Sequence, residues 1–445
     1  MKSLLLSIGY RTLLLYLGLT YFGQFVLHFV FPEFLGEMYK VQPGGYIYAL
    51  LIPVFVFVVI ALDLTIPDRA YLFRKIGIFG RKIFNSNINF IIGFTLIGFG
   101  VHFISNYGIG FRHSGVRISD AGPIVGILFA LKPYIVSWLF FQVLDILTNE
   151  KNKLRSLMRL QAGIYCLGLA LGVTGSLDIL PVTWALVLCI FKPETIRNFI
   201  VSEVRAKTIS AWRIITPFSV WIILGVILAG AISIGIFNKQ GFKEGVDRID
   251  NEGAVHISIS TIVRLSSSYA SFITVAEKHI LDTELTATVY SNIIEMVPYR
   301  LSLILEPGNP LPRPDVTSIS RLNYLTVHFY DYHDRAGMSP GLMASAVYAG
   351  PFPLGFMLMG LYVVVISRLI NYACKMKKLQ PSWLIAIVIV SFVFVLFESP
   401  VDYLNFVDPS LLRITLIPLA LVSVGCKHAL PLNPLGVTKR QNLIH

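Results

Sequence analysis

Two stretches of this chain exclude most of what a polypeptide can fold into. Ile47–Leu62 and Ile214–Phe237 carry no acidic or basic side chain. About 20 such residues cross the hydrocarbon core of a bilayer as a helix, the element that satisfies its own backbone polar groups there. Composition agrees with that reading. Of 445 residues, 55% are hydrophobic and 14% charged, and the mean hydropathy is +0.70, which leaves too little charge to cover a soluble domain of this size. The expectation is an all-α polytopic membrane protein with about ten transmembrane helices. They fall near residues 12–31, 46–62, 89–107, 123–145, 160–176, 178–191, 214–237, 345–370, 382–397 and 411–427. Lys2 and Arg11 precede the first span and no small-residue cleavage site follows it, so it reads as a retained anchor.

Lysine and arginine orient the bundle. With the N-terminus cytoplasmic, the inside segments include "PDRAYLFRKIGIFGRK", "NEKNKLRSLMR", "KPETIRNFIVSEVRAK" and "KMKK", while the short outside loops are nearly bare. Both termini then face the cytoplasm. The net charge of +12 follows from this topology and calls for no nucleic-acid partner. Cys166, Cys189, Cys374 and Cys426 fall in spans or at their cytoplasmic ends, so no disulfide framework is expected outside. Three parts result: a bundle of about seven spans over 1–237, a large outer loop over 238–341, and a bundle of about three spans over 342–445.

The outer loop holds the chemistry. "ISTIVRLSSSYASFITVAEKHIL" has helical apolar spacing with polar breaks and reads as an amphipathic helix near the interface. "SNIIEMVPYRLSLILEPGNPLPRPDV" ends in a Pro/Gly-rich loop, where Pro307, Pro310, Pro312 and Pro314 exclude a continuing helix. Arg264 and Arg300 are set among apolar neighbours, where a planar guanidinium either binds phosphate oxygens or forms part of a solvated face. Arg117, Glu398 and Arg413 stand at the outer mouths of spans, lining a cavity or snorkelling to the interface. Lys132 lies either at mid-membrane or at the start of its span.

"HFYDYHDRAGMSPG", His328 to Gly341, collects titratable groups where the loop returns to the bilayer. Asp331, His333 and Asp334 could supply a general base that activates a hydroxyl. They could also ligate a metal, although the spacing matches no strong zinc signature. A third reading is a structural cap on the next helix, with Ser339 as N-cap and Pro340 at the first position.

The order of "VPYR", "PGNPLPRP", this acidic/histidine segment and "AGMSPGLMASAVYAGPFPLGFMLMGLYVVVI" resembles the Wzy-type O-antigen and oligosaccharide repeat-unit polymerases, a family that includes the enterobacterial common antigen polymerases. The resemblance is best over Met296–Ile370. One departure stands out: many members carry an arginine in a "GGxR"-like turn after the fifth span, where this chain has "TGSLDIL", leaving Arg117 or Arg413 as substitutes. The resemblance implies a GT-C-like transferase at the periplasmic face of a bacterial inner membrane, joining oligosaccharides linked to undecaprenyl pyrophosphate without metal or cofactor. Arg300, Arg264 and Arg335 would meet the pyrophosphate. Asp334 is the first choice as base and His333 the second, with Asp331 beside them. A chain-length regulator would be a protein partner. An O-antigen ligase using the same donor is the nearest alternative. A transporter or flippase of lipid-linked sugars is a further one, which would call for internal repeats that this chain does not offer.

Overall fold

The computed structural model describes residues 8–30, 41, 43–67, 70–107, 131–148, 267–306, 309, 311–312, 314, 316, 318–328, 338–376, 396–401 and 410–425. Among these residues all regular structure is helical. Helix α1 (Ile8–Leu17) passes through a π-helical turn (Gly18–Phe22) into α2 (Gly23–Val30). A 3-10 segment (Pro43–Leu50) runs on into α3 (Leu51–Thr65), followed by α4 (Ala70–Phe84), α5 (Ile88–Tyr107) and α6 (Lys132–Thr148). Then come α7 (267–279), α8 (Thr283–Leu305), α9 (Ile319–Val327), α10 (Gly341–Ala349), α11 (Leu354–Met376) and α12 (Ser410–Gly425). Three of these stretches are long and apolar enough to cross a membrane: Gly9–Val30, Gly44–Thr65 and Leu354–Ala373. The expected spans at 160–176, 178–191 and 214–237 lie outside the described residues, as does 382–395 of the span at 382–397.

Three local readings change. The span expected over 345–370 is two helices, because Pro351 and Pro353 remove amide donors and clash with a preceding turn, ending α10 before α11 begins. The "inside loop" containing "AYLFRKIGIFGRKIF" is the helix α4. The described part of the expected interfacial helix, α7, is buried through Ser268–Ile273 and again at Val275 and Ala276, with Phe272 edge-on to Tyr21 and Tyr269 against His28. Its serines allow close helix contact, which their polarity in sequence disguised as a wet face. Helix α8 has an exposed apolar stripe: it buries Leu285, Val289, Ile293 and Met296 and leaves Tyr290, Ile294, Leu301 and Leu305 open.

Helix α11 is the hub. It packs against α1, α3, α10 and α12, and small residues let backbones approach it. A Cβ on Gly9 would lie 2.4 Å from the Ser367 carbonyl oxygen, and one on Gly360 would lie 2.9 Å from Leu62. The Gly9 amide donates to Asn371 Oδ1 at 2.9 Å. One turn away, Arg368 reaches α3: its Nε pairs with the Asp63 carboxylate, Nη2 donates to the carbonyls of Asp63 (2.6 Å) and Ile66 (2.7 Å), and Nη1 to that of Pro67 (3.1 Å). One side chain therefore closes the C-terminus of a neighbouring helix, where carbonyls lack intrahelical donors and the dipole is negative. With the Asp63 side chain 7% exposed, Arg368→Met strands a buried carboxylate and should cost about 3–5 kcal/mol. Asp63→Asn keeps the carbonyl acceptors and should cost only about 1–2 kcal/mol. Thermal unfolding of the purified variants in detergent checks this asymmetry; equal losses would mean that the carbonyl contacts contribute nothing.

Candidate functional site

His328 and Met338, the described residues on either side of 329–337, are both held by a single helix. Ser318 caps α9, its Oγ accepting from the Arg321 amide at 3.1 Å. At the far end of α9 the His328 amide donates to the Tyr324 carbonyl (2.8 Å), and the His328 ring lies 4.6 Å from that of Tyr324. Ten residues on, the Met338 amide donates to the Ser320 carbonyl (2.9 Å). Burial lowers the His328 pKa, so its ring is held neutral to lower pH than a free histidine.

A buried network fastens the return. Asn323, wholly buried, donates from Nδ2 to Ser271 Oγ and to the Met338 carbonyl, both at 2.9 Å, and its Oδ1 accepts from Tyr348 at 3.1 Å. One amide thereby ties α7, α9, α10 and the returning chain, with donors and acceptor all matched. Lys278 adds a bond from Nζ to the Thr326 carbonyl at 2.9 Å. Beyond Met338 the chain turns sharply: Gly341 has φ +71°, and a Cβ there would lie 2.6 Å from that of Ser268 and 2.8 Å from the Tyr21 hydroxyl. Tyr21 in turn accepts from the Met343 amide at 3.0 Å. Ser339 is not the cap of α10. Pro340 occupies that position without a side-chain bond, and the Ser339 hydroxyl donates to Glu398 Oε1 at 3.1 Å. With φ positive at Gly341, the first amides of α10 turn toward Tyr21 and leave Ser339 free to meet the carboxylate.

Glu398 therefore lies beside the return of the loop. Its neighbour Phe397 accepts from Tyr16 through its carbonyl at 3.0 Å and packs edge-on to the Tyr16 ring, while the Leu396 carbonyl accepts from Tyr362 at 3.2 Å. Arg300 is half-buried on α8, two residues after Pro298, and α8 packs on α10. Arg413 lies in the first turn of α12, and Lys132 begins α6. Arg117, Arg264, Asp331, His333, Asp334 and Arg335 lie outside the described residues. Among the described residues no three His, Cys, Asp or Glu side chains gather as a metal site would require.

Several residues that matter here give little sign in the sequence. Asn323 sits in an unremarkable amphipathic "ISRLNYL". Arg321, 7% exposed, lies with its guanidinium 5.5 Å from the Tyr324 ring centre on the same short helix. His28, 4% exposed, faces Tyr269 inside what reads as a plain first span, with ring centres 5.0 Å apart. A histidine followed at distance by a tyrosine carries no contact information, although an ionisable residue within a span is itself a signal.

Comparison of the chain with protein-family models, with curated proteins and with solved structures finds no match.

The network makes a measurable claim. Asn323→Ala breaks three buried hydrogen bonds, each contributing about 1 kcal/mol, and should lower stability by roughly 3 kcal/mol. Tyr348→Phe removes one of the three and should cost about 1 kcal/mol. Limited proteolysis reports the local consequence: cleavage within 329–337 should accelerate in Asn323→Ala well before global unfolding, and unchanged cleavage would show that the network does not hold the return.

Proposed function

We propose that this protein is a membrane glycosyltransferase that joins polyprenyl-pyrophosphate-linked oligosaccharide units, a repeat-unit polymerase of the O-antigen, common-antigen or capsule type. The supporting observation is the fastening of 329–337. The residues on either side of this aspartate- and histidine-rich segment, His328 and Met338, bond to one helix, and Ser339 beyond it donates to the Glu398 carboxylate. Anchoring both ends of a loop on a rigid helix is how catalytic side chains are held to a working geometry. The apolar helices around it suit a donor with a lipid tail.

The chemistry asked of such a site is a displacement at the anomeric carbon of the growing chain. An acceptor hydroxyl oxygen forms the new bond to that carbon, the carbon–oxygen bond to pyrophosphate breaks, and the electron pair leaves with polyprenyl pyrophosphate. The hydroxyl proton passes to a carboxylate or histidine. Asp334 is assigned as the base, with His333 and Asp331 in support and Glu398 as the alternative. Arg300, Arg264 and Arg335 are assigned to the leaving pyrophosphate, whose developing charge guanidinium forks stabilise. Arg117 and Arg413 are assigned to the same substrate. On this reading the protein sits in a bacterial inner membrane with 238–341 in the periplasm and both termini in the cytoplasm, and a chain-length regulator is its protein partner.

Deleting the gene and separating the surface polysaccharide on a gel tests the reading. Loss of the ladder with a single repeat retained on the core supports a polymerase. Loss of every repeat from the core indicates a ligase, and an unchanged ladder overturns both. Within the polymerase, Arg300→Ala should remove about 2–4 kcal/mol of transition-state stabilisation, on the order of 30- to 1000-fold in rate. Arg300→Lys should recover little, because an ammonium cannot replace a bidentate fork. Asp334→Asn should stop polymerisation at unchanged protein level. If Asp334→Asn polymerises normally and Glu398→Gln does not, the base is Glu398.

A further inference from the structure

Helix α4 is sorted into three faces. Gly77, Gly80 and Phe84 are buried. A Cβ on Gly80 would fall 2.3 Å from Ser423 Oγ, and the Phe73 ring lies 5.8 Å from that of Tyr372, so this face is seated on α12 and on the end of α11. At 100° per residue, Leu72, Ile76 and Phe79 share a second face, and they are 42%, 39% and 62% exposed. Lys75 and Lys82 are exposed on a third, with the half-buried Arg74 and Arg81 beyond them. Ile78, 42% exposed, interrupts this basic face. The helix has no acidic residue.

Its place in the chain restricts what can cover the open apolar face. α4 follows the candidate span Gly44–Thr65, whose end Arg368 clamps, and a three-residue turn separates it from α5, twenty residues without an acidic or basic side chain other than His102. A helix between two such apolar elements, seated against the end of a third, lies at the level where the membrane meets water.

We propose that α4 is an interfacial helix that binds anionic phospholipid of the bilayer. Leu72, Ile76 and Phe79 enter the acyl boundary, and Lys75 and Lys82 hold headgroup phosphates. An apolar stripe flanked by lysines and free of acids has the charge that an anionic membrane surface complements, and such helices sit about 5–10 Å into the headgroup boundary. A second copy of this chain would bury the same leucine, isoleucine and phenylalanine, but would bring two sets of lysines together. The proposal is independent of the transferase reading.

Two measurements on the full chain test it. In nanodiscs containing phosphatidylglycerol and phosphatidylcholine, lipid retained by the protein is quantified for the native chain and for K75Q/K82Q. The native chain should prefer phosphatidylglycerol, and each lysine removed should reduce that preference by about fivefold. An unchanged preference overturns the headgroup assignment. Separately, in a background with the four cysteines replaced by serine, F79C and K82C are labelled with an environment-sensitive fluorophore in liposomes. The label at 79 should be quenched by doxyl-labelled phosphatidylcholine and shielded from iodide, with the reverse at 82. Equal iodide quenching at both sites, or disulfide formation between copies through F79C, overturns the lipid contact.

Discussion

The guanidinium of Arg368 is the contact on which the rest of the described bundle depends. The C-terminal carbonyls of α3 end where no further turn can satisfy them, and Arg368 meets the carbonyls of Asp63, Ile66 and Pro67 as well as the Asp63 carboxylate. In a low-dielectric setting such a pair holds when its other donors are also met, and four hydrogen bonds leave Arg368 here. The clamp fixes the end of α3 against α11 and so fixes where the chain departs toward α4. The close approaches at Gly9 and Gly360 then bring α1 and α3 against the same helix at backbone distance. Without a strong hydrophobic drive between apolar helices in lipid, small-residue contacts and a few matched polar bonds carry association.

At the other end of α11 the solution is different. There the work falls to neutral groups: Asn323, Ser271, Tyr348 and the Met338 carbonyl, with Tyr21 on the Met343 amide. A neutral amide has two donors and an acceptor at fixed angles, so it can join several elements without the desolvation cost of a charge. Glu398 stands at the margin of this network, half-buried and bonded to Ser339.

The all-helical character of the described residues and three apolar helices were legible in the sequence because the membrane imposes so coarse a rule. Long apolar runs had to become helices, and Gly9–Val30, Gly44–Thr65 and Leu354–Ala373 are three of them. The failures have local causes. Hydropathy averaged over "AVYAGPFPLGF" saw one span, while two prolines made two helices. The serines of "SSSYAS" looked like solvent exposure, whereas Ser268 and Ser271 are small residues at a buried helix contact. Basic residues in "FRKIGIFGRK" read as an inside loop, while their spacing encodes the amphipathic α4. Ser339 and Pro340 formed a textual cap signal, yet the positive φ at Gly341 redirected the hydroxyl to Glu398, a partner 59 residues away. Of the candidate site, the return stretch and Glu398 could be picked out from residue type alone. Asn323 could not, since its role exists only through contacts with Ser271, Met338 and Tyr348, far along the chain.

The two ends of α11 are held in different ways. From Leu354 to Tyr372 the helix rises about 27 Å at 1.5 Å per residue, close to the thickness of the hydrocarbon core. Just before the end near Leu354 the Phe352 amide bonds to the Ile280 carbonyl, and Glu398 is attached nearer the middle, where the Leu396 carbonyl accepts from Tyr362. Helix α4 is seated at the end near Tyr372. Lipid bound as proposed by Lys75 and Lys82 would therefore act at the end of α11 that Arg368 ties to α3, holding α4 at a set depth.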